Sequence, residues 1–421
     1  MKTKRLKIMK KHTLPLVCIP VAALTLAGCS LFGMGETQPA TQQTSESTKE
    51  TQTETTEITE TKETQTTEET RTTKAEADAE KTQTKLSLIA AGDNLIHDTV
   101  YEKFEEAPGE YDFTPMYSHI KDLVQSHDIA VINQETIFVE NDSEIGSYPD
   151  FGTPHEMGDA LVDTGFDVVL SATNHTMDKG TDTIYNMVDY WERKYPDIKL
   201  LGIHESRKDA DTLDLVEKNG IRLAMFNYTY GLNGYEIPED ESYLVDLLDN
   251  KEKFISDIEN AEDKADMTVC FLHIGDEYEY EPTPYQVGYV NDVIDAGADV
   301  VICSHPHVVE PFGEITTDKG NKGVVFYSCG NFVSGQDEVD RLLGGMAEVE
   351  ITKTTQGGRS ETKVTKYDFI PVVTHYTETQ EAVYRLEDYT DDLANHHYIN
   401  YYDSDFNVDR LWNLWDEIVG K

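Results

Sequence analysis

The sequence predicts a layered α/β protein. Short apolar runs of four to six residues alternate with longer segments of helical periodicity from residue 86 onward. This strand–helix alternation is typical of folds in which helices cover a sheet. Several runs are continuously apolar, as at 168–170 and 300–302, which indicates strands that are buried on both faces.

The elements follow one another in a regular order along the chain. Strands are predicted at 86–91, 128–132, 166–171, 198–202, 221–227, 267–272, 299–303 and 323–328, and helices at 114–126, 155–165, 180–194, 243–264 and 284–296. Two later strands are predicted near 345–352 and 362–374, and their sequence pattern is typical of an antiparallel meander. The segment 377–421 is predicted to be a C-terminal helical extension of the domain at 85–376.

The first residues have the pattern of an export signal. Six basic residues within 1–11 precede an apolar stretch from Leu14 to Ala27. That stretch is shorter than the roughly 20 residues that a bilayer span needs. The residues around Cys29 resemble a bacterial lipobox, which implies a lipoprotein signal peptide at 1–29, a lipid on Cys29 and an extracytoplasmic, membrane-anchored protein. The alternative is an ordinary cleaved signal with an incidental cysteine.

Residues 30–84 are predicted to form a disordered tether. The part from 36 to 84 contains 18 Thr, 12 acidic residues and one large aliphatic side chain, Ile58. Such a segment cannot offset its ordering entropy by burying apolar surface. We interpret it as a stalk that holds the domain away from the membrane; the alternative is a neutral linker of no set length.

The charge of the chain excludes some partners. The sequence has 35 Lys and Arg against 80 Asp and Glu, a formal net charge of −45. Nucleic acid is therefore not expected as a partner, because phosphate contacts need basic side chains. Electrostatic docking on anionic lipid is disfavoured for the same reason.

Side chains with metal-binding atoms directly follow six of the predicted strands. They are Asp93, Glu135, Asn174 with His175, His273 with Glu277, His305 with His307, and Asn331. Sites in α/β sheets form outside the carboxyl ends of strands, so these residues should meet at one edge. Carboxylate, amide oxygen and imidazole suit a hydrolytic centre of two Mn, Fe or Zn ions. Any one of them alone could be a turn residue, a helix cap or a buried histidine whose hydrogen bonds are made within the core.

Seven stretches around these residues carry a family resemblance. They are 91–93, 133–136, 172–180, 273–278, 295–302, 305–308 and 327–332. In this order they resemble the CapA family of poly-γ-glutamate capsule synthesis proteins, part of the calcineurin-like metallophosphoesterase superfamily. The resemblance spans about 86–335 and implies a four-layer α/β/β/α sandwich with metals at the strand ends.

The resemblance also implies a role for each site residue. Asp93 and His307 would bind a first metal, Glu135 would bridge, and a second metal would be bound by Asn174, His273 and His305. His175 would protonate the leaving group, and Asn331 and Glu277 would contact substrate. One position departs from the superfamily pattern: Leu95 stands where a metal-binding histidine is usual, and His97 is the nearest replacement.

The implied function is metal-dependent hydrolysis in capsule or poly-γ-glutamate biosynthesis, export or anchoring. The implied partners are an anionic polymer such as poly-γ-glutamate or a cell-wall component, the membrane through the lipid anchor, and a capsule-synthesis membrane complex. An alternative is a non-catalytic envelope lipoprotein that binds or guides an anionic polymer. A further alternative is a wall-associated binding lipoprotein with a degenerate site.

Overall fold

The computed structural model describes residues 81–420. The predicted signal peptide, Cys29 and most of the predicted tether lie outside the described residues. Within the described part, no helix combines the length and the apolar character needed to cross a bilayer.

Two β-sheets form the centre of the described part. The strands are β1 Thr82–Leu95, β2 Glu105–Ala107, β3 Glu110–Tyr111, β4 Ile129–Gln134, β5 Phe138–Val139, β6 Thr153–Pro154, β7 Val168–Leu170, β8 Lys199–Leu201, β9 Leu215–Lys218, β10 Ile221–Thr229, β11 Met267–His273, β12 Val300–Ser304, β13 Phe312–Thr316, β14 Lys322–Phe326, β15 Asn331–Ser334, β16 Leu343–Gln356, β17 Arg359–Tyr376 and β18 Glu381–Arg385. The helices are α1 Asp98–Tyr101, α2 Lys121–Gln125, α3 Glu156–Thr164, α4 Thr181–Lys194, α5 Arg207–Ala210, α6 Lys251–Glu259, α7 Pro284–Ala296, α8 Asp391–His396 and α9 Val408–Ile418.

The first sheet has the order β18-β17-β16-β1-β4-β7-β8, with β15 also paired to β1. Strands β1, β4, β7 and β8 run parallel, whereas β16 and β17 form the predicted antiparallel meander and β18 adds a further antiparallel strand to it. The second sheet has the order β13-β14-β12-β11-β10-β9. Its four central strands are parallel and its two edge strands are antiparallel.

The side chains divide into three cores that define the layers. Leu88 of β1 packs in a common core with Phe271 of β11 and Phe326 of β14, so the two sheets face each other. The next residue along β1, Ile89, belongs to a second core with Trp191 of α4. Because successive strand residues point to opposite faces, β1 is buried on both sides. A third core joins the second sheet to α6 and α7, which completes the expected order of helix, sheet, sheet and helix.

Several boundaries differ from the sequence expectations. The helix predicted at 114–126 is a 3₁₀ turn, Thr114–Tyr117, followed by the short α2. The helix predicted at 243–264 begins only at Lys251, because residue 245 bridges to residue 203, which follows β8, and residue 247 bridges to residue 229, which ends β10.

The ends of the domain also differ from the expected boundaries. Strand β1 begins at Thr82, inside the predicted tether, because its first residues pair with β16. After Tyr376 the chain returns as β18 to the first sheet before the predicted C-terminal helices begin. The folded part therefore includes 82–84, and the extension at 377–421 starts with a strand.

Candidate metal centre

The predicted site residues meet where parallel strands of both sheets end. Asp93 near the end of β1 is in register with Asn133 of β4 and with Asn331 of β15. In the second sheet, His273 ends β11 and is in register with Ser304 at the end of β12. The two sheets thus bring their polar strand ends to a common place, as the rule for α/β sheets predicts.

The backbone around the site is tightly constrained. A Cβ atom on Gly92 would lie 2.0 Å from the carbonyl oxygen of Gly330, so only glycine allows β1 and β15 to approach this closely. The N–H of Asp93 donates to that same oxygen at 2.9 Å. His305 and His307 have φ angles of 104° and 62°. Non-glycine residues in this region carry backbone strain, which is common at functional sites.

Three groups of metal-binding side chains occur within residues 81–420. They are Glu135 with His273 and His305, Asp93 with Glu135 and His307, and Glu277 with His305 and His307. Within each group the ligand atoms lie within 4.8 Å of one another. Glu135 belongs to two groups, which is the position expected of a bridging carboxylate.

The carboxylate of Glu135 is the chemically unusual group of the cluster. It is 1 % exposed, and neither of its oxygens accepts a hydrogen bond from any described residue. The nearest imidazole atoms, Nε2 of His273 and Nε2 of His307, lie 3.7 and 3.8 Å from Oε1. These distances are too long for hydrogen bonds, and a buried carboxylate without partners is costly. The donor set therefore fits a divalent metal ion bound between these side chains.

Asp93 is positioned by three neighbours. Asn133 Nδ2 donates to its Oδ1 at 2.8 Å, and the backbone N–H of His305 lies 3.3 Å from both oxygens. His307 Nδ1 lies 3.1 Å from Oδ2. These contacts fix the carboxylate, and the bond to Nδ1 leaves His307 Nε2 as the atom near Glu135.

His273 and Asn174 form a second part of the cluster. His273 Nε2 lies 2.7 Å from Asn174 Oδ1, and its Nδ1 lies 3.2 Å from Ser304 Oγ. The amide of Asn174 also donates to Asn233 Oδ1 at 3.2 Å. His305 completes this part: its Nδ1 has no hydrogen-bond partner among the described residues, and its ring centroid lies 4.9 Å from that of His273.

Electrostatics favour positive charge at the centre of the cluster. Burial raises the pKa of Glu135 well above its usual value. Burial lowers the pKa of His307, but Glu135 and Asp93 outweigh it and raise that pKa to about 9. Burial also lowers the pKa of His273 and of His305 far below normal, so both rings are neutral. His273 and His305 are therefore in the protonation state that metal binding requires, whereas His307 and Glu135 release protons when a metal binds to them.

His175 lies beside the cluster and is oriented by Asp178. Its Nδ1 is 2.7 Å from Asp178 Oδ2, which also accepts the backbone N–H of Phe151 at 2.8 Å. The ring of Phe151 contacts the His175 ring edge to face, with centroids 4.7 Å apart. Because Asp178 engages Nδ1, the atom left to exchange a proton with a substrate is Nε2.

The remaining predicted residues have different surroundings. Asn331 Oδ1 is 3.1 Å from His307 Nδ1, and its amide donates to Gln336 and to a backbone carbonyl, so its observed contacts position His307. Glu277 is exposed beside the histidines. The substrate contacts of Asn331 and Glu277 stay predictions.

At position 95, where the superfamily pattern has a metal-binding histidine, this chain has a leucine. Leu95 is buried and offers no ligand atom. His97 belongs to none of the metal-binding groups within residues 81–420. Its Nδ1 instead contacts the carbonyl of Leu95 and accepts the N–H of Gly335, each at 3.1 Å. Of the residues predicted to bind the first metal, Asp93 and His307 lie in one group with Glu135.

Three side chains that contact the predicted site residues or their neighbours were not predicted from the sequence. Asp178 lies within the stretch 172–180, but the family resemblance implies no role for it, and Asn233 lies in a loop far along the chain. Arg341 stacks its guanidinium 3.7 Å from the centroid of the Tyr278 ring, which in turn lies 6.0 Å from the His307 ring. The three-residue spacing from His175 could have indicated the role of Asp178. Nothing in the local sequence indicates Asn233 or Arg341.

Comparison with known proteins identifies relatives. The family model described as "Bacterial capsule synthesis protein PGA_cap" matches residues 87–336. The "Capsule biosynthesis protein CapA" of Bacillus anthracis is 27% identical over 260 residues, which are 60% of this chain and 60% of that protein. The "PGA biosynthesis protein CapA" of Bacillus subtilis (strain 168) is 27% identical over 303 residues, 71% of this chain and 77% of the relative. The chain thus spans about three fifths of the Bacillus anthracis protein.

Solved structures give weaker matches. A putative 5'-nucleotidase from Staphylococcus aureus in complex with alpha-ketoglutarate has a TM-score of 0.40 and 16% identity, and the match covers 68% of this chain and 54% of that one. A novel phosphatase from Mycoplasma pneumoniae has a TM-score of 0.39 and 12% identity, covering 69% and 95% respectively.

Proposed function

The chain belongs to the bacterial capsule synthesis protein family PGA_cap, and from this premise we propose that it is a metal-dependent hydrolase of capsule or poly-γ-glutamate biosynthesis. The two Bacillus relatives support the capsule assignment by their names. The hydrolase assignment rests on Glu135, a buried carboxylate without hydrogen bonds that stands between His273 and His307.

The residues of the centre would bind two metal ions, one on each side of Glu135. Two divalent ions would be held by Asp93 and His307 on one side and by Asn174, His273 and His305 on the other, with Glu135 between them. When bound, such ions supply Lewis acidity and lower the pKa of coordinated water. The rigid ligand frame keeps these side chains in position without reorganisation.

His175 is the proposed proton donor to the leaving group. Asp178 engages Nδ1 of its ring, so Nε2 is left free to deliver a proton beyond the cluster. The guanidinium of Arg341 lies over the ring of Tyr278, which in turn lies beside the ring of His307. It supplies a contact for an anionic substrate in a chain of strongly acidic composition.

We also propose that this site works at the outer face of the membrane. A lipid on Cys29 would anchor the chain, and the Thr- and Glu-rich tether would hold the domain away from the bilayer. An anionic polymer such as poly-γ-glutamate, or a cell-wall component, would reach the site within a capsule-synthesis membrane complex. The pattern of the first residues supports the anchor, and the family supports the polymer and the complex.

Hydrolysis by the full chain tests the proposal. Release of nitrophenol from bis-p-nitrophenyl phosphate and shortening of poly-γ-glutamate are measured after chelation and after return of Mn²⁺ or Zn²⁺. Activity on at least one substrate should depend on metal and fall at least a hundredfold in Glu135→Gln, because the bridging charge is lost. Full activity in Glu135→Gln, or after complete removal of metal, would disprove the proposal.

Glu310→Gln is the matched control for Glu135→Gln. Glu310 is also fully buried, and its Oε2 accepts a hydrogen bond from Gln286 at 2.7 Å. Burial raises the pKa of Glu310 to about 8, so at pH 7 glutamine replaces a neutral acid of the same shape. We expect this variant to retain activity.

A second candidate function is favoured by Leu95. Without a ligand at this position the first metal has fewer protein donors, and a centre with one tight ion could bridge polymer carboxylates without hydrolysing a bond. In that case the purified chain would bind one equivalent of metal and bind poly-γ-glutamate only when metal is present. Leu95→His would then raise the metal content.

A further inference from the structure

A large cavity lies beside the metal centre and has no part in the function proposed above. Its volume is about 620 Å³, within the usual range for small-molecule sites of roughly 300–1,000 Å³. It opens between Thr99, the Gly335 loop, the turn that joins β17 to β18, and the segment around Tyr402. Gly335 donates its N–H to His97 Nδ1, so His97 stands next to the cavity wall on the side of the metal centre.

The floor of the cavity contains a buried ion pair with unused hydrogen-bonding capacity. Lys103 Nζ lies 2.7 Å from Glu381 Oε2, and the two side chains are 11 % and 1 % exposed. Lys103 Nζ also lies 5.1 Å from the centroid of the Tyr376 ring. The other carboxylate oxygen of Glu381 and the hydroxyl of Tyr376 are buried without a partner among the described residues. Buried polar atoms without partners are rare in folded proteins, and both residues line this cavity.

The walls of the cavity add aromatic surface and negative charge. Tyr398 is half-buried and Tyr402 is 65 % exposed at the mouth. Glu102, Asp337 and Glu378 also line the opening. Together with Glu381, these acids outnumber the single lysine of the lining, so the cavity disfavours polyanions.

The lining also argues against two other ligand classes. An organic cation would seek the face of Tyr376, but Lys103 already occupies that place. A purely apolar ligand would leave the Glu381 oxygen and the Tyr376 hydroxyl without partners. The remaining class is neutral and polyhydroxylated: hydroxyls that both donate and accept, on a ring that can lie against a tyrosine.

We propose that this cavity binds a neutral sugar unit of a glycan. Its hydroxyls donate to the free oxygen of Glu381 and bond the Tyr376 hydroxyl, and its ring packs against Tyr402. The site would hold a glycan next to the metal centre. It is independent of the metal ions and of the hydrolytic function, which can each fail without affecting it.

Calorimetric titration of the full chain with cellotetraose, maltotetraose and tetra-N-acetylchitotetraose tests the proposal. At least one should bind saturably, and Tyr402→Ala should weaken that binding at least tenfold. Tyr401→Ala is the matched control, because Tyr401 is the neighbouring tyrosine, is 77 % exposed and does not line the cavity. Tyr376→Phe removes only the unpartnered hydroxyl and should weaken binding several-fold without unfolding the chain.

The metal centre provides the second control. His305→Ala/His307→Ala should bind the sugar as tightly as the original chain, which separates this site from the hydrolytic one. Absence of saturable binding up to millimolar concentrations of all three tetrasaccharides would overturn the proposal. So would equal losses in Tyr401→Ala and Tyr402→Ala, or binding at Tyr402 of cadaverine or poly-γ-glutamate in place of the sugars.

Discussion

At the scale of single residues, the site consists of buried polar groups, some of which have hydrogen-bond partners in the protein while others have none. Asp93 has hydrogen bonds from Asn133 and His305, whereas Glu135 has none within the described chain. The difference separates a carboxylate that is held by protein from one that is available to a cation. The same comparison distinguishes His175, whose Nδ1 contacts Asp178, from His305, whose Nδ1 has no partner within the described chain.

The His175–Asp178 pair should control catalysis without controlling metal binding. We expect His175→Ala to lower kcat by roughly 10²–10⁴-fold, the usual contribution of a general acid, with unchanged metal content. Asp178→Asn should have a smaller effect, because the ring remains but loses the carboxylate that orients it. Steady-state kinetics on a phosphodiester and elemental analysis check this. A fall in metal content matching the fall in kcat would contradict the assignment.

His204 should make the stability of the fold depend on pH. It lies after β8, with Nε2 2.9 Å from Asp246 and Nδ1 3.5 Å from Asp209. Burial lowers the pKa of His204, but these two partners outweigh it and raise that pKa from 6.5 to about 10. The folded state therefore binds the proton more tightly, and this stabilisation is complete below pH 6.5 and lost as pH rises towards 10.

Urea unfolding of the full chain and of His204→Gln at several pH values tests this. The difference in unfolding free energy between the two should be largest near pH 6 and should shrink steadily up to pH 10. A difference that stays constant over this range would mean that the charge of His204 does not contribute.

At the scale of elements, close strand contact places the first metal ligand. Gly92→Ala would push a methyl group against the Gly330 carbonyl and should destabilise the fold by roughly 1–3 kcal/mol or more, the usual cost of overpacking. It should also weaken metal binding through displacement of Asp93. Urea unfolding and metal titration measure both effects.

Gly288→Ala is the corresponding control. Gly288 lies inside α7, and a Cβ atom there would meet nothing within 4 Å. Alanine should stabilise the helix by roughly 0.5–1 kcal/mol and leave metal binding unchanged. Equal behaviour of the two glycine variants would show that the approach of β1 to β15 does not position Asp93.

Helices whose first and last residues carry capping signals could be predicted from the sequence. Helices whose ends depend on contacts with distant segments could not. Helix α7 has the predicted bounds 284–296 because Thr283 and Gln286 form a capping box, Pro284 starts the helix and Gly297 ends it. The predicted helix at 243–264 lost its first turns because residues 245 and 247 pair with other segments. Such long-range pairing overrides helical periodicity and leaves no local mark in the sequence.

At the scale of the whole molecule, the candidate metal centre forms only because two sheets face each other. Asp93, Glu135 and Asn174 lie at or after the ends of strands of the first sheet, and His273, His305 and His307 at or after the ends of strands of the second. The sequence shows that each residue follows a strand, which was enough to predict the cluster. It does not show which strands share a sheet, so the sandwich came from the family resemblance and partners such as Asn233 and Arg341 were missed.

The metal content of the purified full chain tests the account most directly. It is measured by elemental mass spectrometry beside His305→Ala/His307→Ala and beside His396→Ala, an exposed histidine outside the cluster. We expect about two equivalents of Mn, Fe or Zn, as in two-metal hydrolases, in the original chain and in His396→Ala, and their loss in the double variant. A full chain that contains no metal and takes up neither Mn²⁺ nor Zn²⁺ on titration would contradict the account.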